Sequence, residues 1–220
     1  MSFRKWRFLI GAVVLLTSCN EKGKESVQST LSQAVEVEKL PYFNSAQFTP
    51  EWEKRIHKIP GFSFTNQLGE EVTQRTFNGK IYVANFFFTV CPGICPKLTK
   101  NMGLLQKKYK NDPDILLISH SVMPWMDTVD RLSAYAMENA ITLPQWHLVT
   151  GNRDSIYRMA RKGYFADYEV IENTEAEDFI HTENFVLVDR EGHIRGVYNG
   201  TLELEVKRLI RHIEILKKEV

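Results

Sequence analysis

Two cysteine thiols, Cys91 and Cys95, stand four residues apart in the run FTVCPGICP of residues 88–96. The apolar run before them is typical of a buried strand, and Pro96 suits the first turn of a helix. A helix N-terminus favours thiolate over thiol, because its free N–H groups and its dipole stabilise negative charge. We expect both sulfurs on one side of a turn, where they could chelate one metal ion or form a reversible disulfide.

A pair of thiolates selects soft metals, which among the common biological ions means Cu(I) and Zn²⁺. Structural zinc sites normally have four ligands, commonly as two Cys/His pairs, and this chain has no second such pair. An added imidazole suits copper in either oxidation state. The residues therefore favour one copper ion over zinc, with a third ligand from elsewhere in the chain.

Six histidines compete to be that third ligand. His57 precedes the first clear strand, His193 lies in a turn and His212 lies on the last helix. We expect these three side chains to face solvent. His120 and His147 fall in strand patterns and are expected to be packed or edge residues.

The sixth histidine, His181, precedes a strand in a loop that could reach the same edge of the sheet as the cysteines. It follows an acidic stretch at residues 172–178, which we predict to act as a lid. A packed loop histidine is the alternative. The residues alone leave this choice open.

The elements that must position these groups alternate between strand and helix patterns. Strands are predicted at residues 80–88, 114–119, 146–149, 185–188 and 194–198, and helices at 96–109, 128–139, 153–161 and 201–218. The alternation predicts an α/β fold whose central strands are largely parallel, and the turn at 189–192 adds an antiparallel hairpin. A parallel core, a hairpin and a final helix follow one another in the thioredoxin order.

The N-terminal residues predict export. Three basic side chains at residues 4–7 precede an apolar run at 8–16, which is shorter than the about 20 residues that a membrane-spanning helix needs. The run ends in LTSC at residues 16–19, which resembles the lipobox of bacterial lipoproteins. We therefore predict a lipoprotein signal peptide at 1–18 and a lipid on Cys19. The alternatives are an uncleaved membrane anchor and a buried thiol.

The rest of the chain divides into a tether and one domain. Residues 19–39 are rich in Ser, Gln, Glu and Lys and predict a flexible tether from the lipidated cysteine. Residues 40–220 show no internal repeat and no second linker, so we expect a single domain there. The formal net charge is +1 without a long block of one sign, so no nucleic-acid partner is predicted.

With these motifs in view, the sequence resembles the Sco/SenC family of copper proteins that help assemble the copper centre of cytochrome c oxidase. The cysteine run at residues 86–96 carries the resemblance, together with His181 and Thr182 ahead of the strand at 185–188. Residues 121–128 (SVMPWMDT) are similar to the family's Ser-Val-Asp-Pro-x-x-Asp-Thr stretch, and residues 146–151 (WHLVTG) to its Trp-x-x-Leu-Thr-Gly stretch.

The resemblance implies a thioredoxin-like, peroxiredoxin-related α/β fold with a mixed central sheet flanked by helices and ending in a hairpin and a helix. It also implies one copper ion, as Cu(I) or Cu(II), held by Cys91, Cys95 and His181. The implied function is a metallochaperone that delivers copper to, or prepares, a respiratory cytochrome c oxidase. The partner would be an oxidase subunit or another copper protein. The lipid anchor would hold the domain on the extracytoplasmic side of a bacterial membrane.

Two departures from the family pattern concern residues near the implied metal. Met123 replaces the first acidic residue of the Ser-Val-Asp-Pro motif, and Ile180 precedes the histidine where an aspartate is usual. We expect these changes to reduce negative charge around the ligands. Met123 and Met126 are thioethers that can bind Cu(I), but packing is the expected role for both. Asp127 is expected to cap the following helix, with orientation of a loop or ligand as the alternative.

The main functional alternative is a thiol–disulfide oxidoreductase in which Cys91 and Cys95 form a redox-active pair that reduces cysteines of a metalloprotein partner. Such enzymes usually space their cysteines by two residues, whereas three intervene here. A peroxidase is disfavoured by the second proline-flanked cysteine and by the lack of an obvious activating arginine nearby. A purely structural disulfide is disfavoured because so short a loop gains little from closure.

Overall fold

The computed structural model describes residues 38–166 and 182–219. The predicted signal peptide, Cys19 and the tether up to residue 37 lie outside these residues. His181 and the predicted lid at residues 172–178 also lie outside them. None of the helices within 38–166 and 182–219 is long and apolar enough to span a membrane.

Nine strands are present in the described parts of the chain. They are β1 (Tyr42–Phe43), β2 (Pro50–Glu51), β3 (Ser63–Asn66), β4 (Glu71–Thr73), β5 (Ile81–Phe87), β6 (Ile115–Ser121), β7 (Trp146–Thr150), β8 (Asn184–Val188) and β9 (Ile194–Asn199). β1 and β2 form a small antiparallel pair. The other seven form one sheet in the order β4-β3-β7-β6-β5-β8-β9.

Three helices lie between strands and a fourth follows the last strand, as the sequence pattern predicts. They are α1 (Cys95–Tyr109), α2 (Val129–Glu138), α3 (Arg153–Arg158), which continues as a π-helix over Met159–Gly163, and α4 (Glu203–Leu216). A 3₁₀ helix over Gln74–Phe77 joins β4 to β5. Each predicted helix is therefore present, with ends that differ from the prediction by no more than a few residues.

The sheet has a parallel centre and antiparallel flanks. β5 pairs in parallel with β6, and β6 with β7. The hairpin β3–β4 adds to β7 antiparallel, and the hairpin β8–β9 adds to β5 antiparallel. The mixed α/β fold with a C-terminal hairpin and helix is confirmed, but among the described strands only β5, β6 and β7 pair with a neighbour in parallel.

β5 is buried along its whole length because helices cover both faces of the sheet. Alternate side chains point to opposite faces of a strand, so β5 divides its apolar residues between two core layers. Ile81, Val83 and Phe87 pack with α1, α2 and α4, while Tyr82, Ala84 and Phe86 pack with α3. Both layers therefore hold β5 in place up to the point where the cysteine segment begins.

Candidate metal centre at the dithiol loop

The dithiol loop, residues 88–94, connects the end of β5 to the start of α1. Because β5, β6 and β7 are parallel, this loop lies at their carboxyl edge, where α/β folds usually place their sites. Cys91 is half-buried in the loop, and Cys95 is the first residue of α1 and only 4% exposed. Both cysteines are free thiols. The predicted strand–loop–helix setting of the pair is therefore confirmed.

The loop is tied together by backbone hydrogen bonds at both of its ends. The Cys91 amide donates to the Phe88 carbonyl over 3.3 Å. At the other end, the Ile94 carbonyl accepts the amides of Lys97 and Leu98, each over 3.0 Å, as the first turn of α1 forms. These bonds fix both ends of the loop between Phe88 and Ile94.

The two thiols differ in acidity. Burial alone would raise the pKa of Cys91, but hydrogen bonds from the Cys95 amide, the Cys95 thiol and the amides of Gly93 and Ile94 lower it below its usual value. Burial raises the pKa of Cys95 to about 12, against the effect of a hydrogen bond with the Phe88 backbone. Cys91 is therefore the first sulfur to ionise, with the Cys95 thiol as a donor to it.

A second loop, residues 122–127, follows β6 and lies beside the dithiol loop. The Val122 amide donates to the Phe87 carbonyl over 3.0 Å, which joins the two loops where they leave the sheet. The Asp127 carboxylate at the end of this second loop is fully buried. It accepts the Thr89 hydroxyl over 2.6 Å and the Ser121 hydroxyl over 2.5 Å.

Asp127 does not cap α2, so that expectation is wrong. Thr128 is the N-cap, and its hydroxyl accepts the Arg131 amide over 3.4 Å. Asp127 instead contacts the dithiol loop, where its carboxylate accepts the Thr89 amide and the Thr89 hydroxyl.

An arginine also lies close to the dithiol loop, although no such residue was evident from the sequence. Arg131 Nε donates to the Thr89 hydroxyl over 2.7 Å and lies 3.9 Å from Asp127 Oδ1. The case against a peroxidase therefore cannot use a missing arginine. It rests on the second cysteine and its flanking proline.

Large apolar side chains are exposed on the dithiol loop and on the neighbouring loop of residues 122–127. Val90 is 39% exposed and Ile94 38%, and in the neighbouring loop Trp125 is 53% exposed and Met126 40%. The Arg153 guanidinium lies 5.6 Å from the centroid of the Trp125 ring. Met126 thus lies at the surface, although we expected it to pack inside the fold, and Met123 is half-buried.

His120 is completely buried in β6, and the aromatic rings around it belong to Phe62, Phe64, Phe86 and Tyr164. Neither ring nitrogen has a hydrogen-bond partner among the described residues. Burial lowers the pKa of His120 to about 3, so the ring is neutral at physiological pH. The expectation of a packed histidine is confirmed here.

The expectation that three other histidines face solvent is wrong for His193. That side chain is 2% exposed, and its Nδ1 lies 2.7 Å from the His57 carbonyl. His57 is half-buried with Nε2 2.7 Å from the Gly163 carbonyl, and half-buried His212 has Nδ1 2.7 Å from the Tyr198 hydroxyl. Turn and helix positions do not show how deeply a side chain is packed, so the sequence pattern misplaced His193.

Within residues 38–166 and 182–219, no group of three His, Cys, Asp or Glu side chains is arranged to hold a metal ion. The structure brings Cys91 and Cys95 together. The other five histidines are buried or half-buried away from solvent. The predicted third ligand, His181, stays a prediction.

The start of β8 lies at the same edge of the sheet as the dithiol loop. β8 runs antiparallel to β5 with Val186 opposite Ala84, so Asn184 at the start of β8 lies near the end of β5. The Asn184 amide donates to the Thr182 hydroxyl over 3.2 Å. The chain thus enters β8 from the edge where the cysteines lie.

The fold and this edge define a class of protein: a thioredoxin-like α/β domain with two free thiols between a central strand and the following helix. The chain belongs to the SCO1/SenC family, whose model matches residues 51–217. A relative from Bacillus subtilis (strain 168), called SCO1 protein homolog, is 34% identical over 147 residues, which cover 66% of this chain and 75% of the relative.

Solved structures agree with this assignment. A SCO1/SenC family lipoprotein from Bacillus anthracis str. Ames has a TM-score of 0.65 and 29% identity, covering 74% of this chain and 96% of its own. BsSco, described as a member of the Sco family of cytochrome c oxidase assembly proteins with a disulfide switch, has a TM-score of 0.62 and 28% identity, covering 76% and 96%. Arabidopsis thaliana ScoI with copper bound has a TM-score of 0.54 and 25% identity, covering 70% and 97%.

Proposed function

We propose that this chain is a copper-binding assembly protein that delivers copper to, or prepares, the copper centre of a respiratory cytochrome c oxidase. The observation that carries the proposal is the pair of free thiols, Cys91 and Cys95, held together at the carboxyl edge of the parallel strands in a SCO1/SenC chain. The copper-bound relative from Arabidopsis and the oxidase assembly role of BsSco support it.

The chemistry of the site suits one soft ion as cargo. The Cys91 thiolate is the first ligand, because its pKa is lowered by the amides and the thiol that face it. Burial holds the proton on Cys95 until a soft cation replaces it, since metal binding releases the protons of its ligands. Two sulfurs then compete well for Cu(I), and a partner with its own thiolates could take the ion by ligand exchange.

We assign His181 as the third ligand. The entry of the chain into β8 supports this assignment, because Thr182 and Asn184 lie at the edge that holds the cysteines. An imidazole beside two thiolates suits copper in either oxidation state, so the same set could hold Cu(I) or Cu(II).

We further propose that Cys19 carries a lipid that anchors the domain to a bacterial membrane on its extracytoplasmic side, with residues 19–39 as the tether. The lipoprotein from Bacillus anthracis supports the anchor. Leu40, where the predicted domain starts, donates its amide to Glu219 over 2.8 Å and accepts Arg195 Nη2 over 2.6 Å. Arg195 lies near the start of β9, so Leu40 lies at the end of the sheet opposite the dithiol loop.

The thiol–disulfide oxidoreductase alternative is not favoured. The names of the relatives describe copper binding and oxidase assembly, and the cysteine spacing differs from that of the usual dithiol enzymes of this fold. The thiols must still be reduced for copper to bind, so redox state controls loading without being the function.

A Cu(I) titration of the reduced full-length chain against a chromophoric chelator tests the proposal. We expect one equivalent to bind tightly. Removing a group that only hydrogen-bonds to a metal ligand costs about 10- to 100-fold in metal affinity. Removing a ligand itself, in Cys91→Ser or Cys95→Ser, should therefore lower the Cu(I) affinity by more than about 100-fold. His181→Ala should weaken binding at least about tenfold, whereas the control His212→Ala should leave it unchanged.

Two results would count against the proposal. If both serine variants bound Cu(I) as tightly as the parent, Cys91 and Cys95 would not be copper ligands. Parent-like affinity in His181→Ala alone would leave the dithiol in place and remove only the third ligand.

A further inference from the structure

The Asp127 carboxylate is a buried acceptor at the centre of a polar cluster beside the dithiol loop. It is fully inaccessible to solvent. Oδ2 accepts the Thr89 amide over 3.2 Å and the Ser121 hydroxyl over 2.5 Å, and Oδ1 accepts the Thr89 hydroxyl over 2.6 Å. Each carboxylate oxygen therefore has at least one donor, which is what a buried carboxylate requires.

The donors come from different elements. Thr89 belongs to the dithiol loop and Ser121 is the last residue of β6. Arg131 on α2 donates to the Thr89 hydroxyl over 2.7 Å, so it reinforces the same contact from outside. The cluster thus ties the dithiol loop to the sheet and to a helix, at a point two residues before Cys91.

We propose that Asp127 is a positioning residue for the dithiol: through Thr89 it holds the loop in the conformation that keeps Cys91 and Cys95 together as a pair of metal ligands. This inference rests on the proposed function, because it names a part of the chain that prepares the same site. Asp127 acts through Thr89 and is not itself a ligand.

The position of Thr89 explains why the contact matters for chemistry and not only for stability. Thr89 stands two residues before Cys91, whose amide donates to the Phe88 carbonyl over 3.3 Å in the same turn. Rotation about the backbone near Thr89 would therefore carry the Cys91 sulfur away from Cys95. Groups that orient metal ligands are worth about 10- to 100-fold in affinity, because ordering the ligands in advance lowers the entropic cost of binding.

Thr89→Val and Thr89→Ser make a matched pair for the test. Valine keeps the shape of threonine and removes the hydroxyl that contacts Asp127 and Arg131, while serine keeps the hydroxyl. We expect Thr89→Val to lower the Cu(I) affinity of the full-length chain by about 10-fold or more, and Thr89→Ser to stay within about threefold of the parent. Asp127→Asn should resemble Thr89→Val.

A copper-free readout separates this inference from the proposed function. The Cys91–Cys95 disulfide reacts with two glutathione thiols to give the dithiol and glutathione disulfide, and the equilibrium constant reports how well the loop holds the pair. We expect Thr89→Val to change this constant by at least about threefold and Thr89→Ser to restore it. The thermal unfolding midpoint of each variant shows whether the fold is kept.

The outcomes are distinct. If the parent binds no Cu(I) but Thr89→Val still shifts the glutathione equilibrium, the proposed function fails and the positioning role stands. If the parent binds Cu(I) and both Thr89→Val and Asp127→Asn match it on both readouts, the positioning role is refuted. The positioning role is also refuted if Thr89→Ser loses as much Cu(I) affinity as Thr89→Val, because serine keeps the hydroxyl.

Discussion

His120 predicts an acid-dependent loss of stability that can be removed by one substitution. The ring is fully buried among aromatic side chains, and neither nitrogen has a hydrogen-bond partner among the described residues. Burial lowers its pKa to about 3 in the folded protein, while the unfolded chain has the ordinary value of about 6.5. Between these values the unfolded chain binds the extra proton, so the free energy of unfolding falls as pH falls from 6.5 to 3.

The size of this effect follows from the two pKa values. Each pH unit within the window costs roughly 1.4 kcal/mol per proton. Between pH 7 and pH 5, where the unfolded histidine changes from mostly neutral to mostly charged, His120 alone should remove about 2 kcal/mol of stability. His120→Leu should lack this term, so the variant should lose about 2 kcal/mol less than the parent over the same range.

Urea unfolding of the parent and of His120→Leu at pH 7 and pH 5 measures the difference directly. Carboxylates and other histidines contribute equally to both proteins, so they cancel in the comparison. The control His212→Ala removes a half-buried histidine whose pKa is lowered by burial and by nearby arginines, and its effect should be smaller. Equal losses of stability in the parent and in His120→Leu would refute the reasoning.

Three further predictions concern the thiols, a close contact and a buried cation. Iodoacetamide should modify Cys91 much faster than Cys95 in the reduced, metal-free chain, and equal rates by peptide mass mapping would contradict the assigned acidities. Gly200→Ala should lower the free energy of unfolding by about 1–3 kcal/mol, because its Cβ would lie 2.5–2.7 Å from side chains of β8 and α1. Gly103→Ala in α1, where no described neighbour lies within 4 Å of the added Cβ, should instead be neutral or stabilising, and matching losses in urea unfolding would be inconsistent with the close contact at Gly200. Arg195→Met should cost about 3 kcal/mol in the same assay because it leaves two partly buried carboxylates unpaired, and a change below about 1 kcal/mol would contradict this.

The central elements of the fold could be predicted from the sequence because their patterns are local. β5 is a continuous apolar run, and Cys95 and Pro96 start α1 where the loop ends. The short strands β1 to β4 could not be predicted in the same way. β3, for example, is only four residues long, and it is defined by its partners β4 and β7 and not by its own composition.

The candidate site was predictable where neighbouring residues act together and not where distant elements meet. The Cys91–Cys95 pair could be recognised from its spacing and its position after a strand. The contact between Asp127 and Thr89 joins residues 38 positions apart, so the sequence pattern favoured helix capping instead. The sequence carried one signal for this contact, because Asp127 is followed by Thr128, which is also a good N-cap residue. Since Thr128 caps α2, the Asp127 carboxylate is left free for another contact.

X-ray absorption at the copper edge tests the central claim most directly, because it identifies the atoms around copper in the loaded full-length chain. We predict two sulfur neighbours, from Cys91 and Cys95, and one imidazole nitrogen that disappears in His181→Ala while both sulfurs remain. A spectrum with fewer than two sulfur neighbours, or an imidazole signal that persists in His181→Ala, would contradict the assignment of the site.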